Sequence, residues 1–164
     1  SCVGDTKTHF EINHFFRKSG KPVLYSWLDP YGIGYHNLLI SPKYDGCYMC
    51  MNYADGRLVN NRASFAEENQ IFEKRLASCS SAFIPYNVTA PSSLANKAIE
   101  IYLQFMSGAF STGNRLISML GSGMRFEEEG FVYSDRYYSC LKDCQYLNIT
   151  LEKNLSCPEC NGEY

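Results

Sequence analysis

The run Ala98-Ile99-Glu100-Ile101-Tyr102-Leu103-Gln104-Phe105 opens a longer stretch, ending at Asp135, on which the fold turns. Ile99, Ile101, Leu103 and Phe105 alternate with polar or amphipathic residues, the period-2 pattern of a strand with one dry face. Gly and Ser then break the segment at Ser107-Gly108, Gly113-Asn114, Gly121-Ser122-Gly123 and Gly130, so that each apolar run ends at a turn. On this reading 98–135 is an antiparallel meander. A helix over Ser92–Ser107 is the rival, since Pro91-Ser92-Ser93 would start one and Leu94, Ala98, Ile101 and Phe105 share a helical face. The β-branched alternation favours the strand.

Working outward, Lys21–Asp29 (KPVLYSWLD) reads as a strand apolar on both faces, closed by an Asp29-Pro30-Tyr31-Gly32 turn. Thr8–Lys18 is a short amphipathic helical run ended by Ser19-Gly20. Tyr35–Ile40 is a short strand or edge, and Gly46–Ala54 meets Asp55-Gly56, a strong hairpin signal, with Arg57–Glu67 returning beside it. Glu67–Leu76 is the most helix-prone segment, in conflict with an all-β reading. Ala82–Tyr86 and Tyr146–Leu151 are further short strands. The fold class expected is therefore mostly β, an antiparallel meander or barrel with short helices; an irregular disulfide-rich α+β fold is the alternative.

The chain has 164 residues, enough for one domain with its own core, residues 1–164, carrying a cysteine-rich C-terminal segment at 140–164. Charged residues make up 20% and the net charge is −2, which offers no field to attract nucleic acid. No apolar run is long enough to span a bilayer. The start at Ser1-Cys2, without Met, suits a mature chain after signal-peptide removal or a trimmed one.

Eight cysteines, Cys2, Cys47, Cys50, Cys79, Cys140, Cys144, Cys157 and Cys160, form an even set able to close four disulfides whose pairing the spacing leaves open. Sequons at Asn87, Asn148 and Asn154 accompany them. Together these point to a secreted, extracellular glycoprotein. Zinc is the competing reading: Cys47-x-x-Cys50 and Cys157-Pro-Glu-Cys160 could close a tetrahedral thiolate site. Against zinc stand the hundred-odd residues between the pairs, the four further cysteines and the sequons, so no metal or other cofactor is assigned.

No nucleophile elbow, phosphate loop, HExxH or paired-carboxylate motif is present. His9, His14 and His36 read as surface or hydrogen-bonding residues, and the chain as no enzyme. Glu127-Glu128-Glu129 reads as a solvated turn. If Met124–Glu128 is a strand, Glu128 shares a face with Met124 and Phe126 and, with Asp135 or Glu100, could meet a cationic amine against aromatic walls.

The N-terminal helical run, the first strand with Trp27, the cysteine-bearing hairpin at Asp55-Gly56 and the late run Phe131-Val132-Tyr133-Ser134-Asp135-Arg136-Tyr137-Tyr138-Ser139-Cys140 together resemble the lipocalins. The likeness is to the tick salivary group that includes histamine-binding proteins. Trp27 lacks that family's Gly-x-Trp setting, and no ELW-type strand follows Cys140. The resemblance implies an eight-stranded barrel that takes a small amine, lipid or eicosanoid out of a host's signalling, a form of immune evasion. Tyr25, Trp27, Phe105, Phe126 and Tyr133 would line its cavity, with Glu128 or Asp135 answering a cationic ligand. Two other functions fit the residues: a glycosylated ectodomain or viral surface fragment binding a cell-surface protein, and a zinc-stabilised interaction domain using Cys47, Cys50, Cys157 and Cys160.

Overall fold

A computed structural model of the chain describes residues 1–2, 5–55, 57–59, 61–75, 82–110 and 113–162. In chain order the elements are α1 (Thr6–Ser19), β1 (Val23–Leu28), β2 (Gly34–Ile40), β3 (Tyr53–Ala54), β4 (Arg57–Leu58), β5 (Lys74–Arg75), β6 (Ala82–Phe83), α2 (Ala90–Met106), β7 (Arg115–Leu120), α3 (Met124–Glu128), α4 (Asp135–Lys142), β8 (Tyr146–Thr150) and α5 (Pro158–Asn161). Short 3₁₀ turns lie at Pro30–Gly32 and Tyr48–Asn52. The main sheet is antiparallel and open, in the order β1-β2-β7-β8; β3-β4 and β5-β6 are two-residue ribbons. This is an α+β fold. The expected mostly-β barrel is not formed, because two long helices and one small sheet make up the body of the chain.

The deciding segment is helical. Pro91 sits in the first turn of α2, where its missing N–H costs nothing. The face that α2 buries is Ala90, Leu94 and Ile101, with Phe105 half-buried behind them. These residues pack on Leu24, Leu39 and Ile117 of the sheet. Ile99 and Leu103, the other half of the apparent alternation, point outward at 58% and 60% exposure. The alternation is thus an overlay of two helical stripes, one buried and one wet, and tertiary packing overrides the β-branched preference.

Farther on, β7 and β8 are strands as expected, and β2, read as a short strand or edge, is a central strand. Met124–Glu128, expected as a strand, is the short helix α3, so the face shared by Met124, Phe126 and Glu128 does not exist: Phe126 is fully buried, while Met124 and Glu128 are exposed. Tyr133 keeps a single bridge to Ala66, and Asp135 opens α4. Helix-prone Glu67–Leu76 holds no helix among its described residues, only β5; Leu76 lies outside them. The expected hairpin shrinks to β3-β4, with Asp55 at φ 50° and Gly56 outside the described residues.

Four apolar clusters among the described residues organise the interior, one of them built on Cys47, Met49, Cys50 and Cys157. On the sheet face opposite α2, Val23, Tyr25, Leu38, Ile40 and Leu116 meet Phe10, Ile12 and Phe16 of α1 and Tyr48 and Met51 of the 3₁₀ turn. At the far end, Tyr31, Ile33, Phe65 and Phe126 gather Phe72, Phe131, Tyr133 and Tyr137 into an aromatic cluster. The remaining one is the α2 interface described above.

Candidate metal centre

Helix α1 begins at Asp5, whose carboxylate accepts from the Thr8 N–H (2.8 Å) and hydroxyl (2.6 Å), and ends at Gly20 in the left-handed region (φ 65°). Its most buried residues are polar: His9 and Asn13. Asn13 Oδ1 accepts the Tyr48 N–H at 3.0 Å, and His9 Nδ1 lies 3.0 Å from the Tyr48 hydroxyl. Burial pushes the Tyr48 phenol up to about 12 and lowers the proton affinity of His9. These two contacts fasten the 3₁₀ turn Tyr48–Asn52 to α1 and so place Cys47 and Cys50.

The C-terminal chain comes back to the same corner. Glu159, between Cys157 and Cys160, lies 3.1 Å from His14 Nδ1 and 3.8 Å from Arg17 Nε, both on α1. Asn154 donates from Nδ2 to the carbonyls of Cys50 (3.3 Å) and Tyr53 (2.5 Å), while its Oδ1 accepts from the Ser156 N–H and hydroxyl. Gly46 admits the returning chain closely: a Cβ there would stand 3.3 Å from the Leu151 and Glu152 carbonyls.

The result is four sulfurs around one point. Cys47 Sγ is 3.8 Å from Cys50 Sγ and 3.7 Å from Cys157 Sγ, Cys50 Sγ is 3.5 Å from Cys160 Sγ, and all four lie within 4.8 Å of one another. A zinc tetrahedron with Zn–S near 2.3 Å has edges of about 3.8 Å, whereas a disulfide brings sulfurs to about 2.05 Å. These three distances match the edge of the tetrahedron. Cys47, Cys50 and Cys157 are buried and Cys160 is half-buried, so four protein ligands leave no open position, as in structural rather than catalytic zinc sites.

Backbone amides are aimed at the sulfurs as well. Cys47 and Cys50 cap their turn reciprocally, the Cys47 N–H reaching Cys50 Sγ at 3.4 Å, and the Asn154 N–H reaches the same sulfur at 3.5 Å. The Cys160 N–H is directed at Cys157. Hydrogen bonds from the other cysteines, Cys157 first for Cys50 and Cys160 first for Cys157, pull both toward the thiolate. The same kind of bond, from Cys157 first, raises the proton affinity of Cys47 and Cys160. A divalent cation would replace those shared protons and take all four as thiolates.

The remaining cysteines do not join this cluster. Cys2 and Cys144 are exposed, Cys140 is buried in the aromatic cluster, and Cys79 lies outside the described residues. None of the described cysteines is in a disulfide, where the sequence suggested four. The sequon residues differ in setting: Asn148 is exposed on β8, Asn87 caps the start of α2 by accepting the Ala90 N–H (2.7 Å), and Asn154 spends both amide hydrogens on protein carbonyls.

The residues expected to line one cavity are dispersed. Tyr25 and Trp27 lie on the α1 side of the sheet, Phe105 on the α2 side, and Phe126 and Tyr133 in the aromatic cluster; Glu128 and Asp135 are exposed. Sequence reasoning did not foresee the line formed by Asp29, His36 and Ser118. Asp29 Oδ2 is 2.8 Å from His36 Nε2, and His36 Nδ1 is 2.9 Å from Ser118 Oγ, the residue order of a hydrolase triad with the two ring nitrogens exchanged. His36 and Ser118 have no exposed surface, Trp27 stacks on the imidazole at 5.3 Å, and Phe65 packs against it at 4.9 Å. Asp29 Oδ2 also accepts the Phe65 N–H at 2.7 Å. With no substrate access, the line is a buried polar network that ties β1, β2, β7 and the 61–66 loop together.

No protein-family model matches this chain, and no curated protein matches it in sequence.

Proposed function

We propose that the protein is a zinc-stabilised, non-enzymatic binding domain, and that the metal is structural. The convergence of Cys47, Cys50, Cys157 and Cys160 at tetrahedral S–S separations carries this reading. It is supported by the closed burial of the ligands and by the amides directed at them. Bound metal would fasten the last dozen residues to α1 and the 3₁₀ turn, joining parts of the chain 110 residues apart. Such a site needs thiols kept reduced, so the domain would work in a reducing compartment.

The test is metal content and spectroscopy on protein purified under reducing conditions. One zinc per chain is expected, released by chelator together with protons. Cobalt substitution should give the intense visible bands of a tetrahedral thiolate site, and Cys157→Ser should abolish them. Isolation of the native protein with these four cysteines in disulfides and no metal would sink the proposal.

A further inference from the structure

We propose a second site beside the metal corner: a cleft in which Arg136 receives the phosphoryl group of a small organic phosphate. The cleft, of about 740 Å³, lies between the 50–55 turn, the returning segment 149–156 and the first turn of α4. It is in the size range of small-molecule sites. Its floor and walls mix apolar side chains, among them Met51, Leu116, Ile149 and Leu151, with one half-buried cation, Arg136.

Arg136 is the anomaly. Its Nε and Nη2 are shut off from solvent and meet no acceptor, and no carboxylate among the described residues forms an ion pair with it. Asp29 attracts it from a distance, but the Asp29 Oδ2 atom is already engaged by His36 and by the Phe65 N–H. Burial lowers the proton affinity of the guanidinium, the direction expected of a cation short of compensation. A half-buried guanidinium with two unpaired, covered nitrogens is costly, and one that lines a cleft can turn them toward an oxyanion that arrives from outside.

The surroundings narrow the class. Arg62 and Lys153 add two exposed cations at the cleft, against the exposed carboxylates of Asp55 and Glu152. Counting Arg136, three cations face two anions, a net charge that attracts an anion, and a phosphoryl group offers three oxygens to the three cations where a carboxylate offers two. The apolar wall formed by Leu116, Ile149 and Leu151 favours a ligand with an organic body over inorganic phosphate alone.

Phenyl phosphate, inorganic phosphate and benzoate, each titrated into zinc-loaded protein at matched ionic strength, test this by calorimetry and thermal shift. Phenyl phosphate should bind saturably and raise the melting temperature, more tightly than either other probe. Arg136→Lys, which keeps the charge but loses the fork, should weaken binding about tenfold, and Arg136→Met about a hundredfold. The exposed Arg62→Ala, which leaves the core untouched, should weaken binding several-fold and flatten its salt dependence, and so serves if Arg136→Met does not fold. No saturable binding of phenyl phosphate up to about 10 mM, unchanged binding in both Arg136→Met and Arg62→Ala, or equal affinity for benzoate would overturn the proposal. Zinc content measured on the same samples separates this outcome from failure of the metal reading.

Discussion

The cysteine corner and the Asp29–His36–Ser118 line are built from the residue types that do chemistry in proteins, and each brings neighbouring members to 2.8 to 3.8 Å. They differ in what completes them. In the buried line each group already has its partner: the histidine has one acceptor and one hydroxyl, the carboxylate has the ring N–H and a backbone N–H, and two aromatic rings seal the imidazole. In the cysteine corner the side chains satisfy one another only by sharing protons among four sulfurs, and the backbone supplies further donors suited to thiolates. A triad-like order therefore marks a finished structural network. The looser cysteine set marks a site that a cation would complete.

The largest effect that separates the two should come from removing the metal. Chelation under reducing conditions, or Cys157→Ser, should release residues 151–162 and cost several kcal/mol at least, given structural zinc affinities on the order of 10 kcal/mol. Loss of hydrogen-exchange protection in that segment, with β1 and β2 still protected, is the expected record. Uniform loss across the chain would mean that the corner and the sheet are one cooperative unit.

Next in size, Asp29→Ala should destabilise by about 3 kcal/mol, because it strands His36 and the Phe65 N–H in the interior. Denaturant melts measure this. Zinc content should be unchanged, since no member of the line touches a cysteine ligand; a loss of zinc would break the separation. Gly34→Ala probes the same network sterically, since a Cβ there would stand 2.6 Å from Asp29 Oδ2 and from the Phe65 ring and 2.7 Å from His36 Nε2. About 2 kcal/mol of destabilisation is expected, with near-ultraviolet circular dichroism reporting the displaced rings.

The smallest effect concerns His9, which joins α1 to the cysteine-bearing turn. Burial lowers its proton affinity in the folded state, so the unfolded chain binds the proton more readily. The contribution is present above the ordinary histidine pKa of about 6.5 and is lost as pH falls below it. Relative to wild type, His9→Gln should therefore show a shallower loss of stability between about pH 7 and pH 5.5 in paired melts, where both proteins share any acid-driven loss of metal. Parallel curves would remove His9 from the account.

Much of the local structure was legible. The strand at Val23–Leu28, the helical run closed by Ser19-Gly20, and Tyr146–Thr150 follow from periodicity and caps that act over a few residues. Ile99–Phe105 was misread because apolar residues at 99, 101, 103 and 105 satisfy both a strand and two helical stripes. Only the presence of Leu39 and Ile117 under Ile101 decides between them. Met124–Glu128 failed for a related reason: five residues carry too little period to separate a strand from a helix whose single anchor, Phe126, is held by distant aromatics. The two CxxC pairs were visible as potential ligands, but their separation in the chain counted against them.

The sequence by itself determined the ligand types, their i,i+3 spacing, and the caps and breaks that delimit the helices, because these depend on neighbouring residues alone. Tertiary structure decided which sulfurs meet, which of the apolar stripes on α2 is buried, and that Asp29, His36 and Ser118 are sealed between Trp27 and Phe65. Each of those outcomes depends on contacts between segments far apart in the chain, the cysteine pairs being 110 residues apart. Such contacts leave no local periodicity to read.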